Sequence, residues 1–201
     1  MGGMPQIRAF SPADADALYE VCLLTGADGD DATAQYSVPT LLGEVYVGPY
    51  LALEPEWAWV VEHEGGVAGY ILGTPDTTAF EERCEREWWP ALRERLPLGT
   101  FAAGSPDADV AGLIHEPLRA PPAVVRDYPA HLHIDLLPHV QGHGLGGSLM
   151  GTLFEALRAR KVPGIHWGVS PTNVRAVGFY EHLGFEVLHR DPHVILMGSR
   201  L

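Results

Sequence analysis

The spacing of apolar positions changes several times along this chain, and each change marks an element. Residues 6–10 read as a short strand. Ser11 and Pro12 then open a helix, with Ser11 as N-cap, Pro12 at the first helical position and Asp14 near the positive helix end. Leu18, Val21, Cys22 and Leu24 give that helix an apolar stripe, and the acidic stretch 26–31 ends it. A second helix is predicted over 38–53, broken around Gly48 and Pro49. Residues 57–61 and 67–72 are strand-forming and flank the turn residues Glu64, Gly65 and Gly66, which predicts a hairpin. Beyond it Phe80, Cys84, Trp88 and Leu92 recur at helical spacing behind a cap at Thr77 or Thr78. Pro90 is expected to kink or shorten that helix.

Residues 97–130 break the rhythm. They are rich in Gly, Pro, Ala and Asp and predict a long excursion with at most one short helix near 108–114, serving as a lid, a substrate loop or a partner contact. From residue 131 the signals sharpen into strand 131–137, helix 144–161, strand 165–169, helix 173–183, and closing strands 185–190 and 193–197. An early hairpin and a late β-α-β-α-β-β run predict an α/β (α+β) fold. It is read as a single domain over 1–201, with the 97–130 segment as a long loop or insertion.

At 201 residues, 46% hydrophobic and 19% charged, the chain has a globular balance and enough length for one real core. A formal net charge of −13 repels phosphate backbones and anionic membranes, so no nucleic-acid or membrane partner is expected. The same charge suits a cationic substrate. Cys22 and Cys84 form no C-x-x-C pair, so neither a disulfide framework nor a zinc ribbon is indicated. Residues 1–6 lack the basic start and apolar run of a signal peptide, and no stretch approaches the roughly 20 apolar residues of a membrane span. The expectation is a cytoplasmic protein; a homodimer is left open.

Candidate chemistry concentrates between Pro138 and Ser148, where a strand hands over to a helix through Gly142, Gly144, Gly146 and Gly147. A helix start has unpaired N–H groups and a positive dipole end, and glycines let an anion approach the backbone, so this is a phosphate cradle. A P-loop would need Lys where Gly147 stands. The run Gly142-x-Gly144-x-x-Gly147 has the form of a dinucleotide fingerprint, but Val162, Pro163 and Gly164 occupy the place of its acidic ribose ligand. Gln141-x-x-Gly144-x-Gly146 fits better, because it resembles the acetyl-CoA loop of the GNAT superfamily. Asn173, Ala176, Phe179, Tyr180, Glu181, Gly184 and Phe185 resemble that family's second signature, N-x-x-A-x-x-F-Y-E-x-x-G-F, in the right order and spacing. More narrowly, segments 47–51, 69–74, 131–135 and 194–198 resemble the acetyltransferase-like C-terminal domain of O-GlcNAcases.

The resemblance implies a GNAT fold: one mixed, mostly antiparallel sheet, a splayed central pair of strands, and flanking helices. It also implies acetyl-CoA lying in the splay. Backbone groups of Leu136 and Leu137 would meet its pantetheine, and the amides of Gln141, Gly142, His143, Gly144, Leu145 and Gly146, with Gly147 and Ser148, its pyrophosphate. Asn173 and Phe179 would lie along the same groove and His182 near the 3′-phosphate. Tyr180 corresponds to the family's general acid, a phenol that protonates the departing thiolate.

The base is argued from the strand itself. Alternation puts His131, His133 and Asp135 on one face and Leu132, Ile134 and Leu136 on the other. Asp135 is the first candidate and His133 the second, acting as a pair that gives kcat/KM an acidic limb. Other clusters fall away. His115 and Glu116 make no H-E-x-x-H zinc site, because Arg119 replaces the second histidine, and no metal is expected. Asp28, Asp30 and Asp31 do not follow the calcium-loop pattern and read as an acidic solvent-facing loop. Trp57, Trp59, Trp88 and Trp89 read as core and hairpin aromatics, one of which could wall an acceptor pocket. The expected activity is direct acetyl transfer to an amine on a small molecule or peptide, since neither cysteine lies in the motifs. The alternative is an acetyl-CoA sensor or pseudoenzyme.

Overall fold

Among the described residues, seven strands form one sheet in the order β1-β2-β3-β4-β5-β7-β6. The computed structural model describes residues 4–201; residues 1–3, on which part of the leader expectation falls, lie outside the described residues. Strands β1 (Gln6–Ala9), β2 (Ala58–His63), β3 (Gly66–Thr74) and β4 (Ala130–Leu136) are antiparallel neighbours. β5 (Gly164–Val169) runs parallel to β4, and β7 (Ile195–Arg200) and β6 (Glu186–Arg190) complete the sheet antiparallel. Glu64 and Gly65 turn the β2–β3 hairpin with φ of 52° and 83°, the left-handed pair that suits the twist of two-residue turns.

One pairing is incomplete. β4 and β5 meet only at Ala130 with Ile165 and His131 with His166; past those residues the two strands part. Leu137 N–H donates to Ala68 O at 2.9 Å, so antiparallel alternation turns the main-chain groups of Leu132, Ile134 and Leu136 away from β3 and toward that gap.

The sheet is covered on both faces. On one, α1 (Ala15–Thr25), α2 (Leu41–Tyr46) and α3 (Gly48–Leu53) bury Leu18, Leu41 and Val47 against Tyr70 and Leu72 of β3. The break between α2 and α3 falls at Val47, just before Gly48 and Pro49. On the other face α8 (Leu145–Ala159) sets Leu149, Leu153 and Leu157 against Ile71, Leu132 and Ile165, with α9 (Val174–His182) alongside. Each such fully buried leucine contributes about 1.5–3 kcal/mol. None of the described helices is long and apolar enough to cross a membrane.

Two expectations need correction, the cap of one helix and the helix content of 97–130. The cap of α4 (Thr77–Arg83) is Asp76, whose Oδ1 accepts from Ala79 N–H at 3.0 Å, rather than either threonine. The helical stripe then runs through a π-turn over Cys84–Trp88 into α5 (Trp89–Arg95); Pro90, which cannot donate, sits at the start of α5. Residues 97–130 hold two helices, α6 (Pro106–His115) and α7 (Pro122–Asp127), instead of at most one. Ser105 caps α6, and Asp107 anchors it by accepting from Ser37 N–H and Oγ–H at 3.0 Å each. In α7 only Val124 is buried, so six residues left no apolar period to read.

Candidate active site

The glycine loop becomes a cradle open to solvent. Gly142 and Gly144 have φ of 79° and 74°, a region that costs a side-chain-bearing residue, and Gly144 is the N-cap of α8. The first α8 bond is Ser148 N–H to Gly144 O at 3.0 Å, so the amides of Leu145, Gly146 and Gly147 have no helical acceptor. A Cβ at Gly142, Gly144 or Gly147 would meet nothing within 4 Å. Gly146 differs: a Cβ there would come within 3.1 Å of the Phe179 ring, so this glycine lets α8 and α9 approach. Gln141 and His143 are exposed beside them.

Other cofactor candidates separate. Leu136 turns its main chain into the β4–β5 gap, where its carbonyl accepts from Gln141 Nε2 at 2.7 Å. Leu137 does not fit the expectation, because its N–H goes to Ala68 O and its carbonyl accepts from Val140 N–H at 3.0 Å. Asn173 caps α9 by accepting from Ala176 N–H at 3.0 Å, which commits its oxygen and leaves its amide NH₂ free. His182 is exposed in the last turn of α9.

The polar face of β4 is wired to β3. Tyr70, opposite Asp135 in register, donates its hydroxyl to Asp135 Oδ2 at 2.6 Å. His133 Nε2 lies 3.0 Å from the Tyr70 oxygen and 3.2 Å from Asp135 Oδ2. With the tyrosine's one proton given to Asp135, Nε2 must carry a hydrogen, and Nδ1 is the nitrogen left to titrate. Burial alone lowers the His133 imidazole, but the Asp135 charge and hydrogen bond outweigh it and lift it to about 10. At neutral pH the pair therefore holds its proton, which moves the expected acidic limb to higher pH. His131 differs. Thr77 Oγ1 donates to Pro129 O at 2.7 Å, so His131 Nδ1 donates to Thr77 at 2.8 Å, and burial among histidines holds the ring down to about 3.

Tyr180 lies toward the opposite face, its ring 5.3 Å from Trp167. Among the described residues nothing hydrogen-bonds its hydroxyl, whose oxygen is not sealed from solvent although the residue as a whole is only 6% exposed. Burial, and then the Asp135 charge, push this phenol well above the usual tyrosine range, so it keeps its proton. Sequence reasoning missed Tyr70 because only strand register sets it against Asp135. It also missed that buried Cys22 places its sulfur within 4.8 Å of ligand atoms of both His133 and Asp135, 111 or more positions along the chain.

A cavity of about 450 Å³ opens on the His133 side, reaching Leu132, Trp167 and Gly168 at the strand gap. Trp89 is the one of the four singled-out tryptophans that lines it, and the 97–130 excursion supplies Leu113 and the 117–121 wall. The acidic loop is not simply solvated. Asp28 accepts from Thr172 Oγ1 and Asp30 from Arg175, both at 2.6 Å, tying the end of α1 to the entrance of α9.

Comparison with known proteins agrees with this geometry. The family described as "Acetyltransferase (GNAT) family" matches residues 30–185. Rat protein O-GlcNAcase is 29% identical over 97% of the chain, which spans only 22% of that protein's length. A mycothiol acetyltransferase from Brachybacterium faecium is 36% identical over 67% of the chain and 38% of its own length. The crystal structure of SsHAT superposes with a TM-score of 0.91 at 36% identity, covering 98% of each chain.

Proposed function

We propose that this chain, which belongs to the acetyltransferase (GNAT) family, transfers an acetyl group from acetyl-CoA directly to an amine. The observation that carries the proposal is one gap with a phosphate cradle at its end, a proton-holding phenol on one side and a titratable imidazole facing a cavity on the other.

The residues present suit the cofactor. Leu145, Gly146 and Gly147 offer free amides at a positive helix end, and the left-handed glycines leave room for a pyrophosphate. Main-chain groups of Ile134 and Leu136 border the gap for pantetheine, and the Asn173 NH₂ is available beside it. When bound, acetyl-CoA supplies an acyl carbon on a thiol leaving group. Tyr180 holds a proton for the sulfur side. On the amine side Nδ1 of His133 receives a proton once it has lost its own, while Asp135 and Tyr70 fix the ring through Nε2. Cys22 is buried at 3% exposure, so it supports the pair from below and favours no acyl-enzyme.

The test is release of free CoA thiol on adding amines to protein and acetyl-CoA, with acetyl-CoA binding measured separately by calorimetry. Amine-dependent release at one thiol per amide supports transfer. Tight binding without amine-dependent release would reduce the chain to a sensor.

A further inference from the structure

Resting on the acetyltransferase reading above, we infer that the acceptor is a small primary amine on an apolar aryl or alkyl body, rather than a peptide amine or an amino sugar. The cavity beside His133, about 450 Å³, is of the size that encloses small molecules. Four aromatic side chains, Tyr46, Tyr50, Phe80 and Trp89, form much of its wall. Tyr50 and Phe80 stack at 4.6 Å, and the His131 ring stands edge-on to both at 5.5 and 5.3 Å. Such faces gain from burying apolar surface and give little to a ring of hydroxyls.

The charged and imidazole groups of the lining are mostly committed, which leaves the Tyr46 and Tyr50 hydroxyls, among the described residues, as its free polar tips. Arg119, the one Arg or Lys among the described lining residues, binds Glu81 at 2.7 Å and Glu85 at 3.4 Å. Glu85 also takes Arg93 at 2.9 Å. An anionic acceptor would find cations already paired with carboxylates, Arg119 with Glu81 and His133 with Asp135, whereas the net charge of −13 favours approach of an ammonium. His131 Nδ1 is bound to Thr77, and His166 Nδ1 lies 2.7 Å from the Tyr128 carbonyl. Prolines at 117 and 121 cannot donate, which leaves Leu118, Arg119 and Ala120 as the main-chain donors of the outer wall. The unpaired groups of β4 border the cofactor's gap.

The experiment measures CoA thiol release with acetyl-CoA and, in turn, 2-phenylethylamine, n-butylamine, glucosamine, an alanine-led tetrapeptide and Nα-acetyl-lysine amide. The expected result is a kcat/KM for 2-phenylethylamine at least tenfold above those of the sugar and both peptide-type amines. In addition, Ala120→Trp, which fills the outer wall, should raise KM for 2-phenylethylamine by tenfold or more and for n-butylamine by much less. Equal or faster reaction of glucosamine or either peptide-type amine overturns the acceptor class and leaves acetyl transfer standing. A size-independent effect of Ala120→Trp removes the cavity as the acceptor site. If no amine releases thiol while calorimetry reports acetyl-CoA binding, the acetyltransferase reading itself fails, and this inference with it.

Discussion

In the proposed reaction single side chains carry the proton chemistry, and two substitutions separate their roles. Tyr180→Phe keeps the ring against Trp167 and removes only an unbonded hydroxyl. Turnover should fall about 10²-fold or more with acetyl-CoA affinity nearly unchanged. An unaltered rate, where chemistry limits turnover, would make Tyr180 a packing residue. For the base, the His133 proton must leave before Nδ1 can accept another, so kcat/KM should climb with pH toward about 10 once the amine's own titration is divided out. Asp135→Asn removes the charge that raises the ring and leaves the burial that lowers it, so this limb should move to lower pH. A limb that stays in place would exclude His133. Tyr180 and Gly144 were readable in the sequence because each sits in a local motif. Tyr70, Cys22 and Tyr46 were not, because they reach His133 from separate elements: Tyr70 through strand register and a hydrogen bond, Cys22 through packing, and Tyr46 by stacking its ring at 5.7 Å.

Among the elements, α8 offers the cleanest test of the cradle. Gly144→Asp would mix two effects, since Gly144 has φ of 74°, whereas Gly147 lies inside the first helical turn with open space around it. An aspartate at 147 should if anything favour the helix start through its dipole. Gly147→Asp should nevertheless weaken acetyl-CoA binding at least tenfold, about 1.4 kcal/mol, by calorimetry with the melting temperature retained. Equal affinity in both proteins would remove the cradle. Strands, and helices with a long apolar period such as α8, were legible because burial on one face imposes a rhythm. Of the 97–130 helices, α6 was legible as the short helix expected near 108–114, though not its anchor from Asp107 to Ser37, 70 positions away; α7, held by proline starts and one valine, was not.

For the molecule as a whole, two histidines on one strand pull stability in opposite directions. His133 is raised above the ordinary 6.5, so its contribution is complete below pH 6.5 and is lost as pH rises toward about 10. His131 is depressed, so its contribution is present above pH 6.5 and is lost as pH falls toward about 3. Their combined effect is greatest near pH 6.5. The melting temperature should peak there, and His131→Gln should flatten the acid side alone; an unchanged acid side would remove His131 as its cause. The parted strands have a broader consequence. Among the described residues only two pairs join the two halves of the sheet at β4 and β5, so the sheet is built with a seam. A ligand lodged in that seam would act as a missing lath, and at a hundredfold excess over Kd would add about 2.7 kcal/mol to folding. The lifetime of this chain against a protease would then become a gauge of ligand supply, shorter for the empty protein than for the saturated one.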